Sequence, residues 1–157
     1  MRPIVTCFAL ALMTGVGATL AGEDEASASA RGRALHEAGD WRGAERELQE
    51  ATAAAPEDAA AWGLLGTTRN ALSNYAGGAQ ACERALALDP SNLRARFDLG
   101  VALFNLSRSP EAAAQFDAVL IADARHADAT WMRGHCALRG AEWDLAERLF
   151  VAASERG

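Results

Sequence analysis

A chain of 157 residues in which 50% of the side chains are apolar and 23% are charged has a globular composition, which excludes an extended disordered tract. The formal net charge of −6 excludes an ordinary nucleic-acid surface: phosphate binding needs a basic face, and the 15 basic residues, all arginine, gather into none.

Residues 1–22, MRPIVTCFALALMTGVGATLAG, start with Arg2, run apolar from Ile4 to Leu20, and close on small residues before Glu23, Asp24 and Glu25. That is the outline of a secretory signal, with Ala18 or Ala21 suited to cleavage. The alternative is an uncleaved anchor. The apolar run just reaches spanning length, but Thr6, Thr14, Gly15 and Gly17 make it a weak span. Cys7 precedes the apolar run and does not read as a lipidation site. Export would place the domain from residue 25 to 157 in the periplasm or outside the cell, where Cys82 and Cys136 would meet oxidising conditions.

Beyond residue 25, short blocks with apolar residues at helical spacing alternate with turn signals. Asp40 is expected as N-cap of a helix entered at Trp41, with Arg33, His36 and Glu37 solvated before it. Gly77 and Gly78 lie inside a helical block at about 1 kcal/mol each relative to Ala, and close packing at Gly78 is the expected compensation. Asn92, after Asp89 and Pro90, is expected to cap the next helix, whose stripe is Leu99, Leu103 and Leu106. Ser109 and Pro110 then read as N-cap and first-turn proline of a helix with the stripe Ala112, Phe116 and Val119.

These blocks share one register. Gly32, Gly66, Gly100 and Gly134 are 34 residues apart, and the same period links Ala44, Gly78, Ala112 and Ala146. It also links Leu48, Cys82, Phe116 and Phe150, then Ala51, Ala85, Val119 and Ala153. Residues 59–92 carry Trp62, Leu65, Gly66, Tyr75, Ala85, Leu86, Asp89 and Pro90. A 34-residue period of helix pairs with these residues resembles the tetratricopeptide repeat. Repeats fall at about 25–58, 59–92, 93–126 and 127–157. Arg96 and Ala124 depart from the family's Trp and Pro, and Trp131 sits one place after the Trp column. The resemblance implies an all-α, right-handed superhelical solenoid of antiparallel pairs, about eight helices, in a family that scaffolds protein interactions. Cys82 and Cys136 would then lie two repeats apart. Packed helix axes are about 8–10 Å apart, whereas bridged Cα atoms come within about 7 Å, so both read as buried thiols.

The resemblance also implies that the first helix of each repeat lines a concave groove. In repeat three these columns hold Phe97, Val101 and Phe104, with Arg94 beside them; in repeat four, Trp131, His135 and Leu138, with Arg139. Repeat two has Gly63, Thr67 and Asn70, so the groove is expected to be polar at one end and aromatic at the other. Such residues anchor interfaces, and the competing reading is that the stripe packs on its neighbours, Phe97 against Trp131. The family's carboxylate clamp does not transfer, since Lys is absent and its columns hold Ser29, Arg33, Gly63 and Thr67. No G-x-S-x-G, P-loop or H-E-x-x-H pattern occurs. Adjacent His135 and Cys136 project about 100° apart on a helix and do not converge on a metal. The sequence points to no enzyme, metal, cofactor or small-molecule substrate. It reads as an exported module for a protein or peptide segment, or else as an assembly subunit docking or dimerising through Leu145 and Leu149 of its last helix.

Overall fold

The computed structural model describes residues 28–155. The signal or anchor reading of residues 1–22, and Cys7 with it, lies outside the described residues. Eight helices and no strand occur among them. Helix α1 covers residues 28–37. It is followed by α2 (Trp41–Ala54), α3 (Ala59–Ala71), α4 (Tyr75–Leu88), α5 (Leu93–Asn105), α6 (Ser109–Ala122), α7 (Ala127–Arg139) and α8 (Trp143–Ser154). Packing follows chain order, α3 on α4, α5 on α6 and α7 on α8, with α3, α5 and α7 also touching along one side. No described helix is long and apolar enough to cross a membrane.

Caps set the boundaries. Asp40 accepts from Gly43 N, Asp58 from Ala60 N and Ala61 N, Asn74 from Gly77 N and Asn92 from Ala95 N, each satisfying a first-turn donor that the helix cannot pair. Helix α7 is capped by His126, whose Nδ1 accepts from Ala129 N at 3.2 Å. The expected cap at Ser109 is corrected. Arg108 holds the N-cap position with no side-chain bond to the backbone, and Ser109 is already helical. Arg108 is drawn instead into a two-pronged pair with Glu111, at 2.7 and 2.6 Å.

The columns of the 34-residue period are the core. Leu48, Cys82 and Phe116 are fully buried, as are Ala44, Ala85, Ala112 and Val119. A Cβ on Gly32 would meet Leu48 Cγ at 2.7 Å, and one on Gly134 would meet Phe150 Cε1 at the same distance. At Gly66 it would overlap Cys82 Sγ, so each repeat closes its own helix pair over a glycine. Gly78 is likewise hemmed in by Asn70 and by the Gly66 carbonyl, which supplies the expected compensation. Leu106 departs from its stripe: α5 ends at Asn105, and Leu106 is a half-open C-cap. Cys82 and Cys136 are free and buried. Burial pushes the Cys82 thiol up to about 12, and raises that of Cys136.

A feature absent from the sequence reading recurs in the turn inside each pair. Gly39, Ser73, Ser107 and Ala141 all adopt left-handed backbone, with φ of 80, 60, 62 and 58°. Only the first is a residue suited to it.

Candidate partner-binding groove

Helices α1, α3 and α5 bring Arg33, His36, Ala60, Gly63, Thr67, Asn92 and Arg94 around one open pocket of about 240 Å³. This is the polar end of the groove, and it is tightly networked. Thr67 Oγ1 donates to Asp98 Oδ2 at 2.5 Å and Arg94 Nε donates to the same oxygen at 2.8 Å. Asn70 Nδ2 donates to the Asp98 carbonyl at 2.8 Å. Arg94 is therefore committed to a buried carboxylate, and sequence reasoning missed Asp98 because one acid among apolar neighbours on a helix reads as solvated.

His36 is also corrected. It is half-buried and packs edge-on to Trp41, with ring centroids 4.8 Å apart. Thr68 Oγ1 spends its one proton on Leu64 O, so the 2.9 Å bond with His36 is donated by Nδ1–H. Burial, and then the Arg94 charge, lower the His36 pKa.

At the other end, Phe97, Val101 and Phe104 are half-buried against the central core. Phe97 stacks on His126 at 5.2 Å and leans on Phe116 at 5.6 Å; its ring partner is not Trp131. Trp131 is 51% exposed and stands edge-on to His135, 4.0 Å between centroids, with Phe150 beyond. His135 also faces Phe104 and Phe150, at 6.3 and 5.1 Å, and its Nε2 is buried without a hydrogen-bond partner among the described residues. Arg139 lays its guanidinium over the Phe104 ring, 3.6 Å from the centroid, and donates to the Phe104 carbonyl. Leu138 is half-open beside it. Of the eight groove residues expected from the sequence, Phe104, Trp131, His135 and Arg139 thus form one cluster with Leu138 alongside. Phe97 and Val101 lean into the core, and Arg94 belongs to the polar end.

Two features lie elsewhere. A larger cavity of about 540 Å³ opens between α2 and α4 over Trp62 and Leu65, and Arg69 crosses it to Glu45 Oε1 and Gly77 O. On α8, Leu145 and Leu149 are half-buried, whereas Trp143 and Val151 are the open apolar side chains, at 64% and 53%.

No curated protein matches the chain. Solved structures do. The crystal structure of MamA superposes with a TM-score of 0.79 at 18% identity, over 84% of this chain and 77% of that one. YrrB, described as a TPR protein with an unusual peptide-binding site, gives 0.73 at 26% identity, over 79% of this chain and 64% of YrrB, so the chain spans just under two thirds of that protein. The second TPR domain of human RPAP3, solved with an HSP70 peptide, gives 0.70 at 21% identity, over 74% and 97%. The profile described as Tetratricopeptide repeat matches residues 29–92, 64–125 and 97–156 in overlapping pairs of repeats, and with the glycine column closing each helix pair this chain belongs to the tetratricopeptide repeat family.

Proposed function

We propose that the protein is an exported interaction module that holds a segment of another protein in its concave groove, anchored on Phe104, Trp131 and Leu138. The observation that carries this reading is the exposure of Trp131, a residue otherwise suited to a core, on the same helical face as His135 and Leu138 and linked through the His135 ring to Phe104. An open aromatic cluster on a folded domain ordinarily has a partner, and Trp, Phe and Arg are frequent anchors. YrrB, with its peptide-binding site, supports a peptide partner by likeness. The export half of the proposal rests on residues 1–22.

The test is an affinity pulldown from an envelope extract with the intact protein and with Phe104→Ala. Loss of the captured protein, with an unchanged helical spectrum and a small change in melting temperature, is the expected result. Equal capture by both would remove the groove. Fusing residues 1–25 to a reporter tests export: a shortened product beyond the inner membrane is expected, and full-length reporter in the cytoplasm overturns it.

A second reading, an assembly subunit docking through α8, draws on the exposure of Trp143 and Val151. Sedimentation over a range of concentrations distinguishes it, since self-association would appear as mass rising with concentration and falling in Trp143→Ser.

A further inference from the structure

We propose that the aromatic end of the groove seats a basic side chain, arginine or lysine, of the bound segment, with Arg139 as its intramolecular stand-in and Asp128 as its counter-ion. This rests on the groove reading above and names the chemistry of what enters.

Arg139 already displays the contact. Its guanidinium sits on the Phe104 ring and bonds to a main-chain carbonyl, with no ion pair among the described residues. Arg69, Arg94, Arg108 and Arg133 differ, each reaching a carboxylate within 3.1 Å. A cation is therefore held there by the negative face of a ring and by a carbonyl dipole, a site any arginine or lysine could fill. Arg139 is exposed at the end of α7, so rotating its side chain off the Phe104 carbonyl would uncover the ring without moving the backbone. The half-open indole of Trp131, the better cation acceptor of the two rings, lies across His135 from Phe104. One turn before Trp131 on the same face is Asp128, exposed and without an ion pair among the described residues. The net charge of −6 favours approach of a basic segment.

The experiment titrates 15N-labelled protein with three end-blocked tripeptides, Leu-Arg-Leu, Leu-Gln-Leu and Leu-Glu-Leu, following the indole N–H signal of Trp131, identified by its loss in Trp131→Phe. The arginine peptide is expected to move it most. Arg139→Gln, which vacates the ring, should tighten that peptide about two- to fivefold, the equivalent of an exposed cation–π contact. Asp128→Asn should weaken it by a similar factor. A larger shift with the glutamate peptide, or weaker arginine-peptide binding in Arg139→Gln, overturns the proposal, because Arg139 is then a hook for an acidic residue. Equal binding of the glutamine and arginine peptides, unchanged in Arg139→Gln, also overturns it while leaving the groove reading intact. No shift with any peptide overturns the cation seat, and the pulldown decides the groove separately.

Discussion

Phe116 fills the space that a side chain at Gly100 would need: a Cβ there would stand 2.7 Å from Cε1 of the ring. Phe116 is fully buried and belongs to the central cluster with Leu99, Leu103 and Cys136, so the ring has nowhere to go. Gly100→Ala should destabilise by about 1–3 kcal/mol and Gly100→Leu by more, through overpacking. Gly63 is the contrast, because its Cβ would meet only atoms at 3.6 Å and beyond. Gly63→Ala should leave stability unchanged or raise it by up to about 1 kcal/mol from helix propensity. Chemical denaturation of both variants checks the pair; equal losses at the two sites would remove the close-approach argument.

The left-handed turn column gives a prediction of the opposite sign. Ala141 holds φ 58° with no side-chain group to stabilise it locally, where Gly39 in the first pair is a glycine. Left-handed backbone costs an L-residue roughly 1–2 kcal/mol, less the entropy that a glycine loses on folding. Ala141→Gly should therefore raise stability by about 0.5–1 kcal/mol, read as a higher melting temperature. A lower one would mean that the turn is not fixed in this conformation.

The glycine column and its partner column sixteen residues later were legible because both are burial patterns, and burial repeats with the fold. The turn column was not, since Ser73, Ser107 and Ala141 carry no mark of positive φ. Groove positions were legible as columns, but their contacts were not: Arg139 reaches Phe104 across 35 residues, and Thr67 reaches Asp98 across 31. Such links depend on how far a long or polar side chain extends, which periodicity does not encode. Ser109 failed as a cap for a local reason, the Arg108–Glu111 pair at the helix entry.

His36 makes stability depend on pH. Its folded pKa lies below the usual value of 6.5, first through burial and then through Arg94. The unfolded chain therefore binds a proton more readily than the folded one between those two values, and stability rises with pH across that window. Acidification from about pH 7 should lower the melting temperature, with part of the loss absent in His36→Gln. The NMR titration midpoint of the His36 ring should fall below 6.5; a midpoint above it reverses the sign.

The thiols give a kinetic ordering. Cys82 is fully buried and its thiol is pushed up to about 12, while Cys136 is slightly less buried, with its thiol raised by burial and drawn back down by Arg133 and Arg139. Only the thiolate reacts, so at pH 8 both should label slowly in the folded protein, Cys82 the slower, and both rapidly after unfolding. Mass spectrometry of alkylated peptides reads the order. Failure of both to label after unfolding would reveal a disulfide and contradict their separation across repeat three.

Asp98 joins the third repeat to the second, and its two donors should differ in weight. The Thr67 hydroxyl donates from a half-buried position on α3, whereas the Arg94 side chain is 71% exposed and loses most of its attraction to solvent screening. Thr67→Val leaves a buried carboxylate short of its inter-repeat donor and should cost about 1.5–3 kcal/mol. Arg94→Gln should cost under about 1 kcal/mol, and that cost should shrink further in high salt while the Thr67→Val cost persists. The double variant completes the cycle: both donors share Oδ2, so the two losses should not add. Additive losses would mean that the two donors act on Asp98 independently, and the polar end of the groove would then be two separate contacts in place of one network.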